Sequence, residues 1–288
     1  MKRNLPTLSA ILLLSTIFLS TLQISGINFA KASNAEEIYV PYYQETSAEI
    51  QRAATILPII SNYFRDYGNY QYRQYWQLNF VTRSLMGSQQ NGLGYYYDFV
   101  AILTKGHDVP WGCGMHYKLL DYYGVGIEDN YMYSNTIYGK HDFVFLWHCG
   151  TARSYWGTQY SYWCPTCYAY MGHCYCWQHN NQMSTDGYGS PSTSYPEVFL
   201  GFNWTSADFS RHDTYMKSGY DYGSFANIFY QKLLQSDKNV HQALDLAAQA
   251  VFINCYSFGG SPLRTGILGA EGQYSALKVY GNGNRGLP

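Results

Sequence analysis

Apolar positions along this chain fall into two alternating patterns, short unbroken runs and helical stripes. The runs are Phe99-Val100-Ala101-Ile102-Leu103, Phe143-Val144-Phe145-Leu146-Trp147 and Val198-Phe199-Leu200-Gly201-Phe202, joined near the end by Ala276-Leu277-Lys278-Val279-Tyr280. Runs of about five residues rich in β-branched and aromatic side chains predict strands buried on both faces, as in parallel sheets. The stripes are Ile50, Ala53, Ala54, Leu57 and Ile60; then Phe225, Ile228, Phe229 and Leu233; then Val240, Ala243, Leu244, Ala247 and Val251. Each predicts an amphipathic helix, the first over 48–67 with Pro58 as a kink point. A further helix is expected over 74–86, a loop over 108–112 and a crossover over 116–140. The stretch just before residue 48 reads as a short leader. Strands alternating with helices indicate a layered α/β fold.

Two segments break the pattern. Lys2 and Arg3, an apolar stretch over 8–22, and Ala30-Lys31-Ala32 have the order of a secretory signal peptide, so residues 1–32 are expected to be removed and 33–288 to form the domain. Removing Lys2, Arg3 and Lys31, three positive charges and no acid, takes the formal charge from −1 to −4. No basic patch invites nucleic acid, and no other apolar stretch approaches the roughly 20 residues needed to span a bilayer. The expected location is secreted or cell-surface. From about 151 to 196 the apolar pattern dissolves into Tyr, Trp, Cys, Ser and Gly, which reads as an insertion above the sheet. The 32 tyrosines are spread through the chain, where each can pack its ring and keep its hydroxyl wet.

Chemistry concentrates where two runs end. The first leads through Thr104-Lys105-Gly106 to His107, the second through His148 to Cys149-Gly150. In open α/β sheets, ligands gather beyond the carboxyl ends of the strands. A thiol and an imidazole brought together there suit acyl transfer, the imidazole accepting the thiol proton and returning one to the leaving amine. Backbone amides at Asp108, Cys149 and Gly150 are candidate oxyanion donors. His148 is adjacent to Cys149 and so points to the opposite face, and His141 falls at the far end of its strand, which leaves His107 as the partner. Seven cysteines, an odd number, leave at least one thiol outside intramolecular pairing in an exported chain. Cys164, Cys167, Cys174 and Cys176, with His173 and His179 nearby, suit either disulfides stapling the insertion or a zinc site.

These segments resemble the caspase-like (clan CD) cysteine peptidases, the group of gingipains, clostripain, legumain and separase. The match runs from about residue 50 to 284 and lies in the order of its parts. A buried strand is followed by His107, the next by Cys149-Gly150-Thr151-Ala152, and the next ends near Trp204. Then come Phe225, Phe229 and Tyr230, then Val240, Ala243, Leu244 and Ala247, and a closing Tyr280-Gly281-Asn282. Asp108 stands where the family usually has Gly, and His148 where it usually has Ala. The resemblance implies a three-layer caspase-like fold, with a mostly parallel sheet flanked by helices. It also implies a secreted cysteine endopeptidase acting on peptide or protein substrates through His107 and Cys149. Trp204 and Asp208 would flank the primary side-chain pocket, Asp208 favouring Arg or Lys. No cofactor is required by this chemistry; a structural zinc or calcium is the reading kept beside it. The alternative function is a catalytically inactive extracellular binding or surface protein of the same fold, using the tyrosine-rich insertion.

Overall fold

The computed structural model describes residues 33–39, 46–68, 70–75, 80–87, 92, 100–106, 108–111, 116–137, 139–153, 163–164, 169–170, 172–177, 197–268 and 274–287, all in the compact unit Ala32–Pro288. The signal peptide expected over 1–32 lies outside the described residues, as do most of the insertion and His107. The first half of the unit carries β1 (Ser33–Tyr39), α1 (Ser47–Asp66), β2 (Tyr70–Tyr75) and β3 (Val100–Lys105). An antiparallel trio follows, β4 (Asp108–Trp111), β5 (His116–Leu120) and β6 (Gly126–Ile127), then α2 (Asp129–Asn135) and β7 (His141–Trp147). A two-residue pair, β8 (Trp163–Cys164) and β9 (Ala169–Tyr170), leads to the single turn α3 (His173–Cys176) and to β10 (Val198–Phe202). Next are α4 (Tyr222–Tyr230), α5 (Val240–Val251) and α6 (Pro262–Thr265). The chain closes with β11 (Ile267–Leu268), β12 (Tyr274–Ser275) and β13 (Leu277–Gly281).

Among the described residues six strands make the main sheet, in the order β13-β10-β7-β3-β1-β2. All neighbours run parallel except β13, which pairs antiparallel to β10. Alternation along the strands builds two cores. Ala101, Leu103, Phe143, Phe145, Trp147, Val198, Leu200 and Phe202 face a cluster supplied by α1, α4 and α5. Ile102, Val144, Leu146 and Phe199 face a second cluster with Leu119, Ile127, Met132, Cys174, Cys176 and Trp177. The fold is therefore α/β, a mostly parallel sheet with a layer on each face, as the runs and stripes predicted. Capping fixes the helix starts: Asp221 and Ser224 form a capping box on α4, and Asn239 and Gln242 form another on α5.

Three expectations are corrected. The supposed leader contains β1, an interior strand between β3 and β2. Its sequence, Ser-Asn-Ala-Glu-Glu-Ile-Tyr, has no apolar run to announce it. The described residues of 74–86 hold no α-helix: Tyr70–Tyr75 is a strand, in keeping with the β preference of its tyrosines, and Arg83–Leu85 is a single 3₁₀ turn. The loop expected at 108–112 contains β4, an edge strand of its trio. Val109 precedes Pro110, which favours extended backbone, and an edge strand tolerates the missing N–H.

Candidate active site

β3 and β7 lie side by side in register from Ala101 with Phe143 to Lys105 with Trp147. Past Lys105 comes the buried Gly106; past Trp147 the chain turns through 148–152. Thr151 ties this turn, its hydroxyl donating to the carbonyls of Leu146 at 3.3 Å and His148 at 3.1 Å. Gly150 adopts φ +64°, and any side chain there would run into the Tyr117 ring. Only glycine meets both demands without strain. Gly201 on β10 is constrained likewise, since a Cβ would sit 2.6 Å from Thr151 Oγ1.

The turn presents Cys149 as a partly exposed residue outside any disulfide, while the preceding His148 is fully buried. The Ser206 N–H donates to Cys149 Sγ at 3.2 Å, and Ser206 Oγ lies 3.6 Å from the same sulfur. Trp204 closes one side. Its carbonyl accepts the Gly150 N–H at 2.6 Å, and the Arg153 guanidinium sits 3.6 Å from its ring centroid. Cys149, Gly150 and Trp204, three of the residues expected at the site, are thus brought together. Asp208 lies further along the same segment, exposed at its side chain. Partial desolvation pushes its carboxyl up and Glu49 adds to this, against Lys105 and Arg211. The Asp108 side chain and the whole of His107 fall outside the described residues.

Two groups of functional interest carry no periodic signal and were not anticipated. One is a buried ion pair, Lys105 Nζ to Glu49 Oε1 at 2.9 Å, with side chains 2 % and 1 % exposed. Burial alone would raise the Glu49 carboxyl, but the Lys105 ammonium and the N–H groups of Phe209 and Ser210 outweigh it and hold the group below its ordinary value. A lysine prolonging a fully buried run is itself a signal, because buried charges come paired. The other is Ser206. It lies between Trp204 and Asp208, the two residues that the resemblance implied, on the segment that follows β10.

On the opposite face His116 Nδ1 and Asp129 Oδ2 lie 2.5 Å apart, both fully buried, and the same oxygen accepts the Gly172 N–H at 2.9 Å. His173 bridges the Tyr117 carbonyl through Nε2 and the Trp177 indole through Nδ1. Burial lowers its pKa to about 4, with Asp129 opposing, so the ring is neutral at neutral pH. Cys174 and Cys176 are buried and outside any disulfide, and burial, Asp129 and Cys174 push the Cys176 thiol well above its ordinary value. Among the described residues no group of three or more His, Cys, Asp or Glu is arranged to hold a metal ion. The Cys164 and Cys167 side chains and His179 lie outside those residues.

No protein-family model, curated protein or solved structure matches this chain. Its function has to be argued from the site. No helix among the described residues is long and apolar enough to cross a membrane.

Proposed function

We propose that this protein is a cysteine endopeptidase of the caspase-like kind. Cys149 Sγ attacks the carbonyl carbon of a peptide bond, and His107 takes the thiol proton and gives one to the departing amine. The observation that carries the reading is the pairing of Lys105 with Trp147 at the ends of adjacent parallel strands. His107 and Cys149 each follow that pair by two residues. Neighbouring strands are about 4.8 Å apart, so both segments leave the sheet from adjacent strand ends. The thiol is outside any disulfide and partly exposed. The oxyanion would be received by amides at the strand ends, Cys149 and Asp108 first, with Gly150 exchanging its bond to Trp204 for substrate. Trp204 and Asp208 would border the entering side chain, Asp208 favouring Arg or Lys. A signal peptide ending at Ala32 would release the chain at the first residue of β1, outside the cytoplasm.

The test is cleavage of a peptide library by the native protein and two variants. Cys149→Ala abolishes turnover and labelling by an acyloxymethyl ketone, and His107→Ala lowers turnover by about 10²-fold or more. Undiminished cleavage by Cys149→Ala would falsify the reading.

One observation favours a second reading, a non-catalytic binding protein of the same fold. The 2.6 Å bond from Gly150 to Trp204 occupies a donor that an acyl-transfer site would aim at substrate. A native protein that binds peptide or polysaccharide but turns over neither is the result that selects it.

A further inference from the structure

We propose that Ser206 holds negative charge on the Cys149 sulfur through its backbone N–H, and that the buried Glu49–Lys105 pair is the clamp that keeps Ser206 in place. The proposal rests on the reading above only in taking Cys149 as the reactive thiol. Three observations support it.

The first is the direction of the hydrogen bonds. Cys149 Sγ receives the Ser206 N–H at 3.2 Å, beside a Ser206 hydroxyl at 3.6 Å that can act as donor or acceptor, whereas Cys255 Sγ donates to the Ser257 carbonyl at 3.0 Å. A thiol that must donate keeps its proton, and a sulfur that accepts an N–H is better able to carry charge.

The second is that Ser206 lies on a segment, 203–221, outside any helix or strand of the main sheet, so other contacts must fix it. Trp204 N–H donates to Ser275 Oγ at 3.2 Å, and the Trp147 indole donates to the Ala207 carbonyl at 2.6 Å. Beyond these, Glu49 Oε2 accepts from Ser210 twice, from its N–H at 2.9 Å and its hydroxyl at 3.3 Å.

The third is the burial of Glu49 and Lys105. Taking two charges out of water costs several kcal/mol per ion, and such pairs often add nothing to stability over apolar replacements. What this pair adds is position. Lys105 ends β3, Glu49 opens α1 and Ser210 anchors the segment, so three separate parts of the fold are locked at one point. The carboxylate must be ionised to accept both Ser210 bonds at full strength, and Lys105 ensures that it is. Glu49 and Lys105 are positioning residues; the Ser206 amide touches the reacting atom. Among the described residues, other charged groups at this end of the sheet include Arg153 from the turn after β7, and Asp208 and Arg211 from the segment itself.

The test is alkylation of the full-length protein by iodoacetamide between about pH 6 and pH 10, the range over which an ordinary thiol ionises, read at the Cys149 peptide by mass spectrometry. In the native protein Cys149 is expected to react about tenfold or more faster than Cys255 at about pH 7, the effect of one hydrogen bond to a charged group. Equal rates overturn the proposal without any variant. The double variant Glu49→Leu/Lys105→Met, which replaces the pair with apolar side chains, is expected to lose about tenfold in rate at about pH 7 and to rejoin the native rate at about pH 10. A folded double variant with the native profile removes the clamp. Ser206→Ala keeps the N–H and removes the hydroxyl beside the sulfur, so a loss of about tenfold in this variant would assign the effect to the hydroxyl and overturn the backbone assignment. Alkylation needs no peptide. Fast alkylation without cleavage overturns the peptidase reading and leaves this one, whereas cleavage with ordinary alkylation does the reverse.

Discussion

The two faces of the main sheet are held by different physics. On one, α1, α4 and α5 lay amphipathic stripes on Phe143, Phe145 and Trp147 in a large apolar cluster, with the buried Glu49–Lys105 pair at its edge. On the other, the cover is two short helices, a small antiparallel trio and a single connecting turn, with His116, Asp129, Thr136, His141 and His173 buried beside the apolar residues. Thr136 donates to the Cys176 carbonyl at 2.8 Å, and His141 Nδ1 lies 2.8 Å from the Trp177 carbonyl. Burial of area is roughly proportional and tolerant; hydrogen bonding is directional, and a buried polar group left alone is expensive. The helical face should therefore fail by volume and the other face by protonation.

The largest expected effect breaks the helical face. Trp147→Ala removes a ring packed against Phe145, Phe202 and Phe209, and should destabilise by about 3–5 kcal/mol in urea unfolding. The next concerns pH and belongs to the opposite face. The folded protein keeps His173 neutral down to about pH 4, while in the unfolded chain it takes up a proton near 6.5. Between those values the unfolded state binds more protons, so this contribution is complete above 6.5 and is lost as pH falls toward 4, by roughly 3 kcal/mol. His173→Gln should flatten that slope in unfolding measured across the window; a slope that survives the substitution would mean another group carries it. Asp129→Asn, which weakens the bond to His116, is expected to cost about 2 kcal/mol by the same assay. Smallest is Asn239→Ala at the start of α5, about 1 kcal/mol, with the native pH slope retained. If Asn239→Ala altered that slope, the contrast between the faces would fail.

The same contrast explains what could be read in the sequence. The helical face announces itself through repetition: the stripes beginning at Ile50, Phe225 and Val240 became α1, α4 and α5, and the runs ending at Leu103, Trp147 and Phe202 became β3, β7 and β10. Cys149 was legible because it follows such a run. β1 was not, because a strand held by main-chain bonds on both sides need carry no apolar signature. The partners His116 with Asp129 and Glu49 with Lys105 lie 13 and 56 positions apart, and nothing periodic connects them. Such pairs are specified by where the backbone has already gone.

The strand order also bears on how the chain is assembled during synthesis. From β1 outward, β2 joins one side and β3 the other, and then β7, β10 and β13 are added in turn, each at the current free edge. No later strand has to be inserted between two already paired. A ribosome releasing this chain from its amino end would deliver the strands in the order in which the sheet can accept them, each arrival covering the edge left by the last. The last of these strands alone runs antiparallel, and it can join only after β10 has been delivered.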